Sequence, residues 1–417
     1  MIARISPAQL GGTICAIASK SDAHRLLILA ALSRGETRLK MEQRSEDIDA
    51  TIGCLRALGA LIEILPNGVL VRGIERVNEN PLLDCGESGS TFRFLLPVAC
   101  ELCKRARFAG TGRLPERPIG ELMHVMQSHG VAFSAGQLPF TTTGRLKGGD
   151  FSLPGNVSSQ YLTGLLLALP LTKEDSTISL TTRLESAAYV DITLHALRRF
   201  GVQVNAAGER YSIPGGQAIQ SPGELRVDGD WSNAAFFLAA GALGEPVTVT
   251  GLSLDSPQGD KAILDALRRF GARVEATNDA VTVSPEKVAG CTIDVGETPD
   301  LLPILAVLGA SASGETRLVN AARLRLKESD RLASVSAMLR ALGGKVEELP
   351  DALVITGGEL LGGTVDSVRD HRIAMSAAIA SIRCANEVSI LGADAVKKSY
   401  PAFYTDFNLL GGHAHVV

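Results

Sequence analysis

The chain has 417 residues, of which 45% are hydrophobic and 21% charged, and 41 Lys and Arg face 45 Asp and Glu for a formal net charge of −4. Such a balance argues against a protein held to nucleic acid or to an anionic membrane by bulk positive charge. Seven scattered cysteines with no CxxC pair argue against a disulfide framework and a zinc site.

In chain order, the first regular signal is "LRALGALIEI", an apolar helix stopped at Gly59 and followed by an alternating segment. The same word returns as "VMQSHGVAF" at Gly130 and "LRRFGVQVN" at Gly201. It recurs at Gly271, again after "LRRF", then as "LRALGGKVEE" at Gly343 and "FNLLGG" at Gly411. Val190, Leu194 and Leu197 share one helical face, Arg198 and Arg199 complement the helix dipole, and Gly201 suits the left-handed stop. "VQVN" then reads as a strand. Successive stops lie 68 to 72 residues apart, and "GETRL" at Gly35 and Gly314 keeps the same phase. This spacing predicts six α/β copies filling the chain, each with two helices that feed strands. It excludes solenoids and propellers, whose units run to ~20–50 residues.

The copies differ at short polar segments before helices. "KSDAHR" carries Lys20, Ser21 and Arg25 ahead of an apolar helix, as caps or anion contacts. "CGESGSTFR" offers Gly86, Gly89, Ser88, Ser90, Thr91 and Arg93, either a phosphate-cradling loop or a Ser-capped helix. "ERPIG" sets Arg117 at the start of a helix, "NVSSQY" sets Ser158, Ser159 and Gln160, and "ESAAY" sets Ser186 and Tyr189. In the second half come Asp300 after a Pro, then Lys327, Glu328 and Arg331 in "KESDRL", with Lys327 and Arg331 at i, i+4. Asp370, His371 and Arg372 follow in "DHRIAM", and Lys397 and Lys398 in "KKSYPAF". A buried structural ion pair also accounts for the Lys327–Glu328–Arg331 group.

A cation at a helix N-terminus opposes the dipole. Its repetition calls for a bound anion, and in repeated βα architecture such helix starts can share one side. The expected ligands are one or two multiply anionic small molecules.

Over its whole length the chain resembles the enolpyruvyl transferase family, and within it 5-enolpyruvylshikimate-3-phosphate synthases. The resemblance rests on "KSDAHR", "ERPIG", "NVSSQYLTGLLLALP", "KESDRL", "DHRIAM" and "KSYPAF" in that order. It implies an α/β, two-domain inverted barrel-like fold of six βαβαββ repeats, three per domain. Residues 1–18 with 227–417 would form one domain and 19–226 the other, with the active site in the cleft between them. It also implies transfer of enolpyruvyl from phosphoenolpyruvate to the 5-hydroxyl of shikimate 3-phosphate, without metal or organic cofactor. Lys20, Asp300 and Glu328 match the catalytic set. Lys20, Ser21, Arg25, Ser158, Ser159, Gln160, Ser186, Tyr189, Asp300 and Lys327 match shikimate 3-phosphate contacts. Lys20, Gly89, Arg117, Gln160, Arg331, Arg372 and Lys398 match phosphoenolpyruvate contacts. A cytoplasmic monomer, binding neither nucleic acid nor membrane, is expected.

The chain departs from the family pattern at Glu87-Ser88 in the glycine loop, at Phe94 where Pro is common, at Arg323 where Asn is common, and at Asp370 where Asn often stands. The rival readings are a transferase acting on UDP-N-acetylglucosamine and a non-catalytic anion-binding protein on the same scaffold. The first usually places a reactive Cys on the loop that here reads "GTGRLPERP".

Overall fold

A computed structural model describes residues 1–417. The chain divides into two compact units, Met1–Ser19 with Asp228–Val417, and Lys20–Val227. Six four-stranded sheets are distributed over them. In the sheet Leu82–Asp84, Arg105–Ala109, Phe140–Gly144 and Val131–Phe133, the first two strands are parallel and the rest antiparallel. That is one βαβαββ unit: a helix joins the parallel pair, a second helix follows, and a hairpin closes the sheet.

The sheets that begin at Leu82, Gly149 and Thr292 are each contiguous in sequence. The other three recruit one distant strand each, a departure from six tandem copies. Ile2–Ser6 pairs with Val388–Leu391 and His413–Val416. Gly12–Cys15 runs parallel to Val247–Thr250, and Glu224–Arg226 runs parallel to Glu36–Lys40. The recruited strands leave the sheet pattern intact while tying the chain ends and unit boundaries into it. At the boundary, Ala18 and Gly229 form an antiparallel bridge, flanked by Ser19 N–H to Asp228 O at 2.7 Å and Asp230 N–H to Ile17 O at 2.8 Å.

The glycine stops behave as expected at Gly59 and Gly271, which cap helices in left-handed conformation. The strand expected over "VQVN" begins only at Asn205. The Gln217 side chain explains this. Its Oε1 accepts the Gln203 N–H at 2.8 Å and its Nε2 donates to Gln203 O at 2.9 Å, so a side chain takes the place of a neighbouring strand. Helices Trp231–Leu243 and Leu302–Ser311 are buried nearly all round, which fits the uniformly apolar sequence of each. No helix is long and apolar enough to cross a membrane.

Candidate functional site

In the unit Lys20–Val227, Lys20 opens helix α1 (Lys20–Leu32) and its Nζ lies 2.9 Å from Asp47 Oδ2 on helix α2 (Glu46–Leu58). The sequence reading missed Asp47, which stands 27 residues away in an ordinary acidic first turn. Arg25, one turn after Ser21, is buried. Its Nη1 donates to Ser21 O at 2.5 Å, Nη2 to Tyr189 O at 2.8 Å and Nε to Thr193 Oγ1 at 2.8 Å. Arg25 thus joins the Ser21 turn to the Tyr189 turn, and burial lowers its pKa to about 10. Ser186 precedes that second helix in left-handed conformation at φ 56°, unusual for a residue with a Cβ, and its side chain does not cap the helix.

Helix α3 (Gly89–Leu102) starts at the glycine loop, with Ser88 as N-cap accepting Thr91 N–H at 3.2 Å. The Ser-capped helix is what the loop forms, and two cations gather at its first residue. A Cβ on Gly89 would lie 2.6 Å from Arg117 Nη1 and 2.8 Å from Arg93 Nη1. Arg93 was legible in the loop but not placed among the site residues. It donates Nη2 to Pro118 O at 2.8 Å and Nη1 to Gln160 Oε1 at 3.3 Å. Gln160 Nε2 in turn donates to Ser90 Oγ at 3.1 Å, and Ser158 caps the helix that Ser159 opens. Arg117, Arg93, Gln160 and Ser90 therefore converge at the positive end of α3, where the helix dipole favours negative charge. Arg117 follows a short 3₁₀ turn, Leu114–Glu116, and the α-helix expected to start there begins only at Gly120.

In the unit Met1–Ser19 with Asp228–Val417, the centre is Asp300. Its Oδ1 lies 2.5 Å from Arg331 Nη1, its Oδ2 2.9 Å from Arg372 Nη2, and Lys327 Nζ is 3.9 Å away. Arg331 also reaches Glu328 at 2.8 Å and Asp370 at 3.0 Å. Burial alone would raise the Asp300 pKa, but Arg372, Lys327 and Arg331 hold it well below the usual carboxylate range. Burial lowers Lys327 to about 8 against the opposing pull of Asp300. The i, i+4 spacing of Lys327 and Arg331 does not place them on one helix. Asp330 caps a helix that begins at Arg331, and Lys327 precedes it in extended conformation. They meet through Asp300 instead. Asp370 caps the next helix by accepting Arg372 N–H at 3.0 Å, so both arginines stand at helix starts beside carboxylates. Lys398 donates to Arg369 O at 2.9 Å, where Val368 and Arg369 are both left-handed at φ 46° and 58°.

Repeated α/β units with guanidinium groups at helix starts and a partly buried carboxylate ringed by cations suit a transferase of anionic substrates, and similarity to known proteins places the chain among those of the enolpyruvyl type. Residues 5–407 match the family described as EPSP synthase (3-phosphoshikimate 1-carboxyvinyltransferase), and the chain belongs to that family. It is 43% identical over 412 residues to the 3-phosphoshikimate 1-carboxyvinyltransferase of Clostridium kluyveri, covering 98% of this chain and 97% of the relative. It is 42% identical to that of Clostridium perfringens, covering 98% of each. A solved EPSP synthase structure from Acinetobacter baumannii superposes with TM-score 0.83 at 25% identity over the whole of both chains. The enolpyruvyl transferase NikO from Streptomyces tendae shares the fold, with TM-score 0.80 at 19% identity over 99% of this chain and 98% of that one.

Proposed function

We propose that the chain transfers the enolpyruvyl group of phosphoenolpyruvate to the 5-hydroxyl of shikimate 3-phosphate and releases phosphate, the carboxyvinyl transfer of the shikimate route to aromatic amino acids. The observation that carries this reading is Asp300, a partly buried carboxylate kept ionised by Arg372, Lys327 and Arg331, with Glu328 bonded to the same Arg331.

The substrate oxygen adds to C2 of phosphoenolpyruvate while a proton is delivered to C3. Phosphate then leaves C2, and loss of a C3 proton restores the double bond. An ionised Asp300 suits removal of the hydroxyl proton, and Glu328 suits proton traffic at C3. Lys20 supplies a cation to the developing charge. Arg117, Arg331, Arg372, Lys398, Gln160 and the Gly89 backbone serve phosphoenolpyruvate. Ser21, Arg25, Ser158, Ser159, Gln160, Ser186, Tyr189 and Lys327 serve shikimate 3-phosphate. The reaction needs no metal or organic cofactor, and the working form is a cytoplasmic monomer.

Phosphate release on mixing the two substrates tests the reading. Lys20→Met should lower the rate at least ~100-fold with the fold retained, the scale of removing one preorganised charge donor. Release with UDP-N-acetylglucosamine in place of shikimate 3-phosphate would favour the sister activity, and release with neither acceptor would leave an anion binder.

A further inference from the structure

His24 lies one turn beyond Lys20 on α1 and is fully buried. Its Nδ1 is 2.7 Å from Thr51 Oγ1 on α2. Thr51 Oγ1 is 2.6 Å from Thr91 Oγ1 on α3, and Thr91 Oγ1 reaches Ser88 Oγ at 2.7 Å and Asp47 O at 3.3 Å. The side chains of His24, Thr51, Thr91 and Ser88 are buried, while those of Asp47 and of Lys20, which it holds, are partly exposed. The bonds form a closed circuit: Lys20, Asp47, Thr91, Thr51, His24, and back along one turn of α1.

The circuit has a direction. His24 Nε2 is buried without a hydrogen-bond partner. A bare lone pair is tolerated inside a protein better than a bare N–H, so the proton belongs on Nδ1. Nδ1–H then donates to Thr51, Thr51 donates to Thr91, and Thr91 is left to donate to Ser88 Oγ or the Asp47 carbonyl. Reversing the chain would strand a buried N–H on the ring. Burial, then Lys20 and Arg25, lower the His24 pKa well below its usual value, so the ring stays a neutral donor. Phe94 meets the ring edge-on at 6.3 Å and packs 4.8 Å from the Arg25 guanidinium, which fixes the imidazole from the α3 side. A family-atypical Phe at this position thereby acquires a place in the same assembly.

We propose that His24 is a positioning residue: through Thr51 and Thr91 it holds the first turn of α3, with Ser88 and Gly89, in register with Lys20. The proposal rests on the assignment above of Lys20 and the Gly89 turn to phosphoenolpyruvate. It predicts that loosening the relay affects that substrate and leaves shikimate 3-phosphate nearly untouched.

Steady-state kinetics of the full chain test it with Thr51→Val, which keeps shape and removes the bonds, His24→Leu, the double variant, and His24→Asn, which keeps a donor near Nδ1. Thr51→Val should raise KM for phosphoenolpyruvate about fivefold, the scale of one buried hydrogen bond. KM for shikimate 3-phosphate should stay within about twofold, a split that general loss of stability does not produce. The double variant should be no worse than the worse single variant, as for groups acting in one chain. His24→Asn should recover most of the loss. Unchanged KM for phosphoenolpyruvate, equal shifts for both substrates, additive effects, or a His24→Asn as poor as His24→Leu would each overturn the relay. Should His24→Leu fail to fold, Thr51→Val and His24→Asn decide. A wild-type chain that releases no phosphate would overturn the activity instead, leaving the two failures distinct.

Discussion

Arg117 packs over Gly89 so closely that a Cβ on Gly89 would sit 2.6 Å from its Nη1, with Arg93 Nη1 only slightly farther at 2.8 Å. The glycine is there for the approach of two cations, since it opens a right-handed helix with no positive φ of its own. Both guanidinium groups are ends of flexible side chains, so Gly89→Ala should displace the cations and leave the backbone in place. KM for phosphoenolpyruvate should rise several-fold with little change in melting temperature, checked by kinetics beside thermal unfolding. A variant with unaltered KM would show that the cations are not aimed at that substrate.

Glu87 lies against the Gly110–Arg113 loop: a Cβ on Gly112 would fall 2.0 Å from its Oε1, and Gly112 is left-handed at φ 58°. The carboxylate is thus packed between the glycine loop and the chain that leads to Arg117. At an effective dielectric of ~20 a charge ~4 Å away is worth about 4 kcal/mol before screening reduces it, so its removal should register. Glu87→Gln should change KM for phosphoenolpyruvate several-fold, with KM for shikimate 3-phosphate nearly fixed. Equal changes in both would point to a general loop defect.

Lys327 should give the reaction a basic limb. Burial lowers its pKa to about 8, so in the free protein it loses its charge as the pH rises through that value. kcat/KM for shikimate 3-phosphate should therefore fall above about pH 8, since that parameter reports the unliganded form. Lys327→Arg, which keeps its charge throughout the range, should move the limb upward even if the plateau is lower. A limb that stays in place in this variant would assign it to another group.

Asp370 and Asp300 give the fold an acid limb. Burial alone would raise both, yet Arg331 with His371 lowers Asp370, and Arg372, Lys327 and Arg331 lower Asp300. Folded values below the unfolded ~3.9 mean stability that is fully present above about pH 4 and lost as the pH falls through the folded values. Asp370 binds Arg331 Nε and Ser329 Oγ and caps the Arg372 N–H. Asp370→Asn should destabilise the protein at pH 7 by about 2–3 kcal/mol, the scale of charged hydrogen bonds. It should also flatten the loss as the pH falls below about 4. Urea unfolding at these pH values measures both, and an unchanged acid slope would remove Asp370 from the cause.

The glycine stops, the α/β repeat and the polar segments ahead of helices were legible in the sequence because each is local. A helix end needs only its own turn, and a residue such as Gly59 or Asp300 declares its setting to near neighbours. What the sequence left open was pairing at a distance. Nothing in "RSEDIDA" marks Asp47 as the partner of Lys20, or Thr51 as the partner of His24, because side-chain bonds between helices are set by packing. Lys327 and Arg331 stand at i, i+4 in the sequence, but the helix capped by Asp330 begins only at Arg331, and Asp300 brings the two cations together. Tertiary structure likewise decided which strands complete three of the sheets. Ile2–Ser6, Gly12–Cys15 and Glu224–Arg226 each satisfy an edge far away in the chain, where the free energy lies in backbone bonds and buried apolar faces that local sequence does not name.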